Sequence, residues 1–465
     1  MAYDIYMIST YPQRKCGVGT FAENLVDSIG KNVNSVKVAP IEKKDEYNPY
    51  TYPVIKDWMI DQYNPDSWKK AAHKISSEAM DKDNSVVILQ HEYGLDPKGP
   101  GDNKGYGRNF VDVSKIFNES GIMNVAYLHT VRPKPRNNSS EDEKKHYEHE
   151  KKTVRDLAKY NDGLIVTAER AIDMLVSNEY DVPQAKVEHI PHGTRNFAHR
   201  GRDETKEKYG LEGKLVFTTL GMKEPRKGVG NAITGWGNFL NNKVGVDERK
   251  NLVYIVAGGY HPNFINENDG KKLRDYQNYI KETTKKAGVK SQITNNPREL
   301  GELSKENDVV FLEPGLKESY IPEDILVDMY IMTNGMVLLY DNKDQISSGP
   351  LSDAIGSGRA TIATKFPYAQ EMLNPKGNYQ NGIVGMDDPR ARGLLVDNEK
   401  AAEQSSKCFE YLTFEHNARK KIEESASLRG SKMRWPIVGN DFLRYLDYIK
   451  NLKHQGRGKD PIFKR

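Results

Sequence analysis

Short, continuous apolar runs alternate with helical patterns along this chain, and the alternation occurs twice. The runs fall at 5–9, 36–39, 86–89, 124–128, 164–166 and 187–190, then at 215–220, 252–256, 309–312, 337–340 and 361–363. Unbroken apolar runs of that length suit strands covered on both faces. Strand–helix alternation repeated in two halves predicts an α/β protein with two doubly wound parallel sheets. With 465 residues the chain exceeds one ordinary core. The expected division is an N-terminal domain over 1–198, a polar linker over 199–213 and a second domain over 214–434. A helix over 435–452, opened by Trp435-Pro436 and carrying Phe442, Leu443, Leu446 and Ile449, leads to a basic tail at 453–465.

Composition narrows the partners. Lys plus Arg (69) against Asp plus Glu (65) leaves +4, with no basic stripe of interleaved aromatics. Nucleic acid is not an expected partner. Only Cys16 and Cys408 occur, so two free thiols in a reducing compartment are expected. With no basic-apolar leader and no long apolar run, a cytoplasmic protein without a transmembrane segment is expected. The sequons at Asn118 and Asn138 then read as chance, and the charge run 141–152 as a solvated helix face. The glycine-rich loop 96–108 reads as a mobile cover or a plain surface excursion.

Three segments carry chemistry. The first is Cys16-Gly17-Val18-Gly19-Thr20-Phe21-Ala22-Glu23, a glycine turn after the first strand. Thr20 and Glu23 have capping-box spacing, so Thr20 is expected to cap a helix with the stripe Phe21, Leu25, Ile29. Gly17 and Gly19 would give positive φ and close backbone approach to an anion. The same residues fit a dinucleotide fingerprint, with Glu42 as its ribose acid, although 11–16 makes a wider loop than that motif has. The second segment runs from Gly221 to Gly228, where Arg226 and Lys227 suit a diphosphate beside a helix start. The third, 344–358, offers Ser347, Ser348 and Gly349 at another helix start, with Gln345 before it and Asp353 as a carboxylate for ribose hydroxyls. His129, His91 and His192 follow strands; His129 is the first candidate, and His192 reads as structural. No His/Cys/Asp cluster has metal spacing.

In this order the segments resemble the retaining GT-B glycosyltransferases of family 4. The resemblance runs over about residues 3–450, through the glycine turn, Leu128-His129-Thr130, Ile190-Pro191-His192-Gly193, Gly221 to Gly228, and Ser352 to Arg359. Cys-Gly-Val-Gly-Thr-Phe, Gln-His-Glu-Tyr-Gly at 90–94 and Asp-Gln-Ile-Ser-Ser-Gly at 344–349 look like one branch of it.

The resemblance implies two facing Rossmann-like domains with the active site in the cleft, the second holding a nucleotide sugar and the first an acceptor. It implies Lys227 on the donor diphosphate, Gly17, Gly19 and Thr20 approaching the same phosphates, His129 near the reacting sugar, and Asp353 at the ribose. Gln345 would stand near the sugar hydroxyls, and Gly221, Arg226, Ser347, Ser348 and Gly349 would complete the donor site. His91 and Glu92 fall on the acceptor side. Met222 stands where the family has arginine, and Gln345 and Asp353 where it has glutamates.

The expected reaction is hexosyl transfer with retention, from a nucleoside diphosphate sugar such as GDP-mannose or UDP-glucose to a glycan or other hydroxyl, without a cofactor or metal. The alternatives are a sugar phosphorylase on the same fold, an NAD-dependent oxidoreductase, and an inactive sugar-nucleotide-binding protein.

Overall fold

The computed structural model describes residues 3–14, 16–43, 50–96, 106–137, 139–197, 201–260, 265, 270–315, 320–377, 379 and 382–454. The boundary residues 198–200, most of the glycine loop 96–108, Asn138 and the tail from 455 lie outside them. The chain forms two compact units, one made of Met1–Gly193 with Trp435–Arg465 and the other of Thr194–Arg434.

The first unit holds a parallel sheet of β1 (Asp4–Ser9), β2 (Ser35–Glu42), β3 (Ile60–Asp61), β4 (Ser85–His91), β5 (Met123–Leu128), β6 (Gly163–Val166) and β7 (Val187–His189). Its order is β3-β2-β1-β4-β5-β6-β7, so direction reverses between β1 and β4. The stripe Phe21, Leu25, Ile29 of the helix Gly17–Ile29 is buried in one core with Phe442, Leu443, Leu446 and Ile449 of the helix Trp435–His454. Each such side chain contributes about 1.5–3 kcal/mol on burial. Gly193 lies under Trp435: a Cβ there would sit 2.2 Å from a ring carbon, so only glycine leaves the indole its place.

The second unit repeats the plan with β8 (Leu215–Leu220), β9 (Leu252–Ala257), β10 (Ser291–Thr294), β11 (Val309–Leu312), β12 (Gly335–Leu338), β13 (Ala360–Thr364) and β14 (Leu394–Val396). Its order is β10-β11-β9-β8-β12-β13-β14, with the reversal between β8 and β12. Helices Val229–Lys243 and Ala401–Phe414 close its core through Trp236, Phe239 and Phe409.

Three short strands escape the apolar pattern. β3 has two residues, β14 has three, and β10 is an edge strand whose Ile293 is 62% exposed. β12 begins two residues before its expected start because Gly335 belongs to it; a Cβ there would meet the Phe217 ring at 2.6 Å.

Two expectations are corrected. The linker expected over 199–213 belongs, over its described residues 201–213, to the second unit. Their helix Arg202–Lys208 packs in the second unit, where Lys208 pairs with buried Asp328 at 2.6 Å. Lys206 donates to Asn334 Oδ1 at 2.8 Å, and burial lowers its pKa to about 8. The polar look of that segment reflects one buried lysine, Lys206, and one exposed lysine, Lys208, each reaching a buried polar partner. The charge run 141–152 lies on the helix Glu141–Tyr160, capped by a Ser140–Glu143 box, but its face is not wholly solvated. Glu150 is fully buried, 2.8 Å from Arg132 and 2.9 Å from His146. Burial lifts its pKa to about 7.

Candidate functional site

In open α/β sheets, ligands bind beyond the strand C-termini where the order reverses. In the second unit that point carries the segments after β8 and β12. Gly221 leaves β8 at φ 124°, and the turn Pro225–Lys227 ends at Gly228 with φ 64°. A Cβ on Gly228 would lie 1.7 Å from the Leu339 carbonyl, so glycine is required for both conformation and space. That close approach seats the turn against the end of β12: Asp341 N–H donates to the Arg226 carbonyl at 3.0 Å, and Lys227 Nζ lies 4.2 Å from the Tyr340 ring centroid.

Tyr340 links this turn to the serine segment, its hydroxyl 3.4 Å from Ser348 Oγ. Ser348 caps the helix Gly349–Gly356 by accepting from Leu351 N–H at 3.3 Å. Because Pro350 has no N–H, Gly349 keeps the bare amide of the first three helical residues. Gln345 folds back, its Nε2 donating to the Ser347 carbonyl at 2.8 Å. The structure thus brings Gly221, Arg226, Lys227, Gln345, Ser347, Ser348 and Gly349 to one sheet edge.

The cations of this unit divide sharply. Lys223, not among the expected residues, is buried, ion-paired with Glu313 and 4.4 Å over the Tyr260 ring. Burial lowers its pKa, against the opposing pull of Glu313. Tyr260 donates to the same carboxylate at 3.0 Å. Lys223 and Glu313 are 90 residues apart, which no motif spacing registers. Arg226 is exposed and pairs with Glu224 at 3.0 Å. Lys227 has an aromatic face and no carboxylate partner among the described residues.

Asp353 corrects an expectation. It is 3% exposed, one carboxylate oxygen accepting from Arg195 N–H at 3.1 Å and the other from the Arg195 guanidinium. Arg195 is also held by Glu323. The carboxylate is therefore the buried partner of an arginine, 158 residues away in sequence, and is not free for a ribose.

In the first unit, the loop after β1 is tied down by Arg14, which donates to the Ile41 carbonyl at 2.8 Å and to Gln62 Oε1 at 2.6 Å. The helix begins at Gly17 with extended Cys16 as its N-cap, and among the described residues no side chain caps it. Thr20 is not the cap; it lies in the first turn, its N–H bonded to the Cys16 carbonyl at 3.2 Å. Gly17 and Gly19 have helical, not positive, φ. A Cβ on Gly19 would lie 3.3 Å from the Tyr11 backbone, a tight contact, whereas one on Gly17 would meet nothing within 4 Å among the described residues. The amides of Gly17, Val18 and Gly19 form the bare start of the helix.

Phe21, one turn on, packs edge-on to His129 at 4.8 Å, which puts the imidazole beneath that helix start. His129 is 9% exposed; its N–H donates to the His91 carbonyl at 3.1 Å, and its Nε2 is 2.7 Å from Gln90 Oε1. Burial, with smaller effects of His192 and His91, lowers its pKa to about 3. His91 is fully buried between Tyr93 and Phe110, its ring nitrogens without a hydrogen-bond partner among the described residues, and burial takes its pKa to about 3. Glu92 accepts from Thr130 at 2.6 Å, and burial raises its pKa. His192 contacts the Gly193 carbonyl and packs on Phe21 and Trp435. Glu42, the ribose acid of the dinucleotide alternative, is buried and bonded by Tyr50. Cys16 and Cys408 are free thiols. Among the described residues no His, Cys, Asp or Glu group is placed to hold a metal, and no helix is long and apolar enough to cross a membrane.

No family model and no curated protein matches this chain. Solved structures do. HepE from Anabaena, in complex with UDP and glucose, is 11% identical with a TM-score of 0.63, covering 96% of this chain and 99% of its own. Sucrose-phosphate synthase from Thermosynechococcus elongatus is 14% identical with a TM-score of 0.63 over 96% and 99%. The trehalose-6-phosphate synthase of Burkholderia multivorans is 11% identical with a TM-score of 0.61 over 100% of both chains. At such identities the likeness is one of fold: this chain has the GT-B fold, two α/β units each built on a parallel seven-stranded sheet.

Proposed function

We propose that the protein is a glycosyltransferase that moves a hexosyl unit from a nucleoside diphosphate sugar to a hydroxyl acceptor, with retention. The observation that carries this reading is Lys227. It stands at the order reversal of the second sheet on the face of Tyr340, whose hydroxyl reaches Ser348, while Lys223, Arg226 and Arg195 have carboxylate partners. An anion is the natural partner for a cation so placed. The solved structures support a UDP-linked glucose as the first donor to test, since HepE is seen with UDP-glucose.

In this reading the diphosphate gains charge as the glycosidic bond breaks, and Lys227, the Arg226 fork and the Gly349 amide stabilise it. The departing phosphate oxygen takes the acceptor proton. The Gly17 to Gly19 amides and His129 are assigned to substrate binding in the first unit. Asp353 has no ribose role.

A thermal-shift screen of UDP, GDP and ADP sugars tests the reading, because a ligand of the native state adds about 2.7 kcal/mol at a hundredfold excess over Kd. A nucleotide sugar should raise Tm, and Lys227→Ala should abolish the rise. NAD alone raising Tm overturns it. Donor binding without transfer or hydrolysis selects an inactive binding protein, and turnover only with orthophosphate selects a phosphorylase.

A further inference from the structure

We infer that Gln90 is a positioning residue that fixes the tautomer of His129, so that the imidazole meets its ligand as a hydrogen-bond acceptor through Nδ1. Gln90 ends β4, is fully buried, and places Oε1 2.7 Å from His129 Nε2. With Oε1 turned to the ring the amide accepts, so the ring Nε2 carries the proton and Nδ1 the lone pair; the reversed amide, its own Nε2 donating, would give the opposite tautomer, and the nitrogen spectrum separates the two. The ring is packed on both sides in this orientation. Phe21 stands edge-on at 4.8 Å, Tyr127 stacks at 5.5 Å, and Tyr127 is itself pinned by its hydroxyl to the Ile190 carbonyl at 3.0 Å. The backbone at His129 is fixed by its bond to the His91 carbonyl.

Burial keeps the ring neutral, consistent with a pKa near 3. A neutral ring with a bare Nδ1 repels an anion and accepts from a hydroxyl or an N–H. His129 then reads a sugar hydroxyl and neither pairs with a phosphate nor donates a proton. The consequence for turnover rests on the glycosyl-transfer reading above; the tautomer does not.

The test is nitrogen NMR of the full chain labelled with 15N-histidine, the His129 signal being assigned by its loss in His129→Phe. The expected wild-type spectrum shows protonated Nε2 and bare Nδ1 from pH 5 to 8. A protonated Nδ1, or an imidazolium in that range, overturns the inference. Gln90→Leu should mix the tautomers and lower kcat/KM roughly tenfold, the scale of one neutral hydrogen bond. Gln90→Glu keeps an acceptor and should restore the Nε2–H form while raising the imidazole pKa. An unchanged tautomer in folded Gln90→Leu also overturns it. If that variant does not fold, the wild-type and Gln90→Glu spectra decide. Failure of every donor screen with the expected spectrum would sink the transferase reading alone.

Discussion

The two sheets reverse strand order at equivalent points, yet their C-terminal edges carry opposite chemistry. At the first, Gln90, His91 and His129 are buried and uncharged, and both imidazoles titrate far below neutrality because burial removes their hydration. At the second, the groups are ions: Lys223 with Glu313, Arg195 with Asp353, and Lys227 over Tyr340. A buried ion needs a partner, whereas a buried neutral imidazole needs at most a hydrogen bond. Topology thus supplies the location of a site and leaves its polarity to the residues at the strand ends.

Removing a counter-ion should break the second edge hardest. Asp353→Ala leaves the Arg195 guanidinium without its buried partner, and the expected loss is about 3–5 kcal/mol of stability in urea unfolding. A variant that unfolds like wild type but loses donor affinity would return Asp353 to the ribose. Lys227→Ala should do the reverse. It strands no carboxylate among the described residues, so Tm should hold, while the barrier to transfer rises by about 2–4 kcal/mol. Unchanged kcat/KM would leave the cation as an ornament of Tyr340.

These contrasts also explain what the sequence discloses. The strands at 215–220 and 309–312 and the segments Gly221 to Gly228 and 344–349 are legible because local pattern and glycine chemistry create them. Lys223–Glu313 and Arg195–Asp353 are not, since each joins residues that only the fold brings together. Thr20 misleads for a related reason. Its spacing to Glu23 is a local signal, but the helix starts at Gly17, one residue after extended Cys16, so Thr20 falls inside the first turn.

Ions do occur in the first unit, and Glu150 sharpens the comparison. Its folded pKa, about 7, lies above the ordinary carboxylate value because of burial, with Arg132 opposing. The native state therefore holds its proton more tightly than the unfolded chain. The stability this adds is complete below about pH 4.5 and lost as pH rises through about 7. Glu150→Gln should remove that slope: relative to its value at pH 4, the variant should gain about 1–3 kcal/mol over wild type by pH 8. Parallel stability curves across that range would show that Arg132 and His146 fully offset the burial.

The smallest effect addresses the helix start that both edges share as a motif. Gly17 is the first helical residue, has no positive φ, and a Cβ on it would meet nothing within 4 Å, so nothing among the described residues requires glycine there. Alanine at that position should stabilise the chain by about 0.5 kcal/mol through the unfolded state. If the amides of this turn approach a ligand closely, the same methyl group should weaken nucleotide-sugar binding while Tm rises. Gly19→Ala is the comparison, because its Cβ would lie 3.3 Å from the Tyr11 backbone and any change it makes to the loop should appear with or without a ligand. Higher stability with unchanged donor affinity in Gly17→Ala would make this turn structural and leave the charged edge of the second unit as the only anion site; opposite shifts in the two quantities would mark the open face of Gly17 as the place where substrate meets backbone.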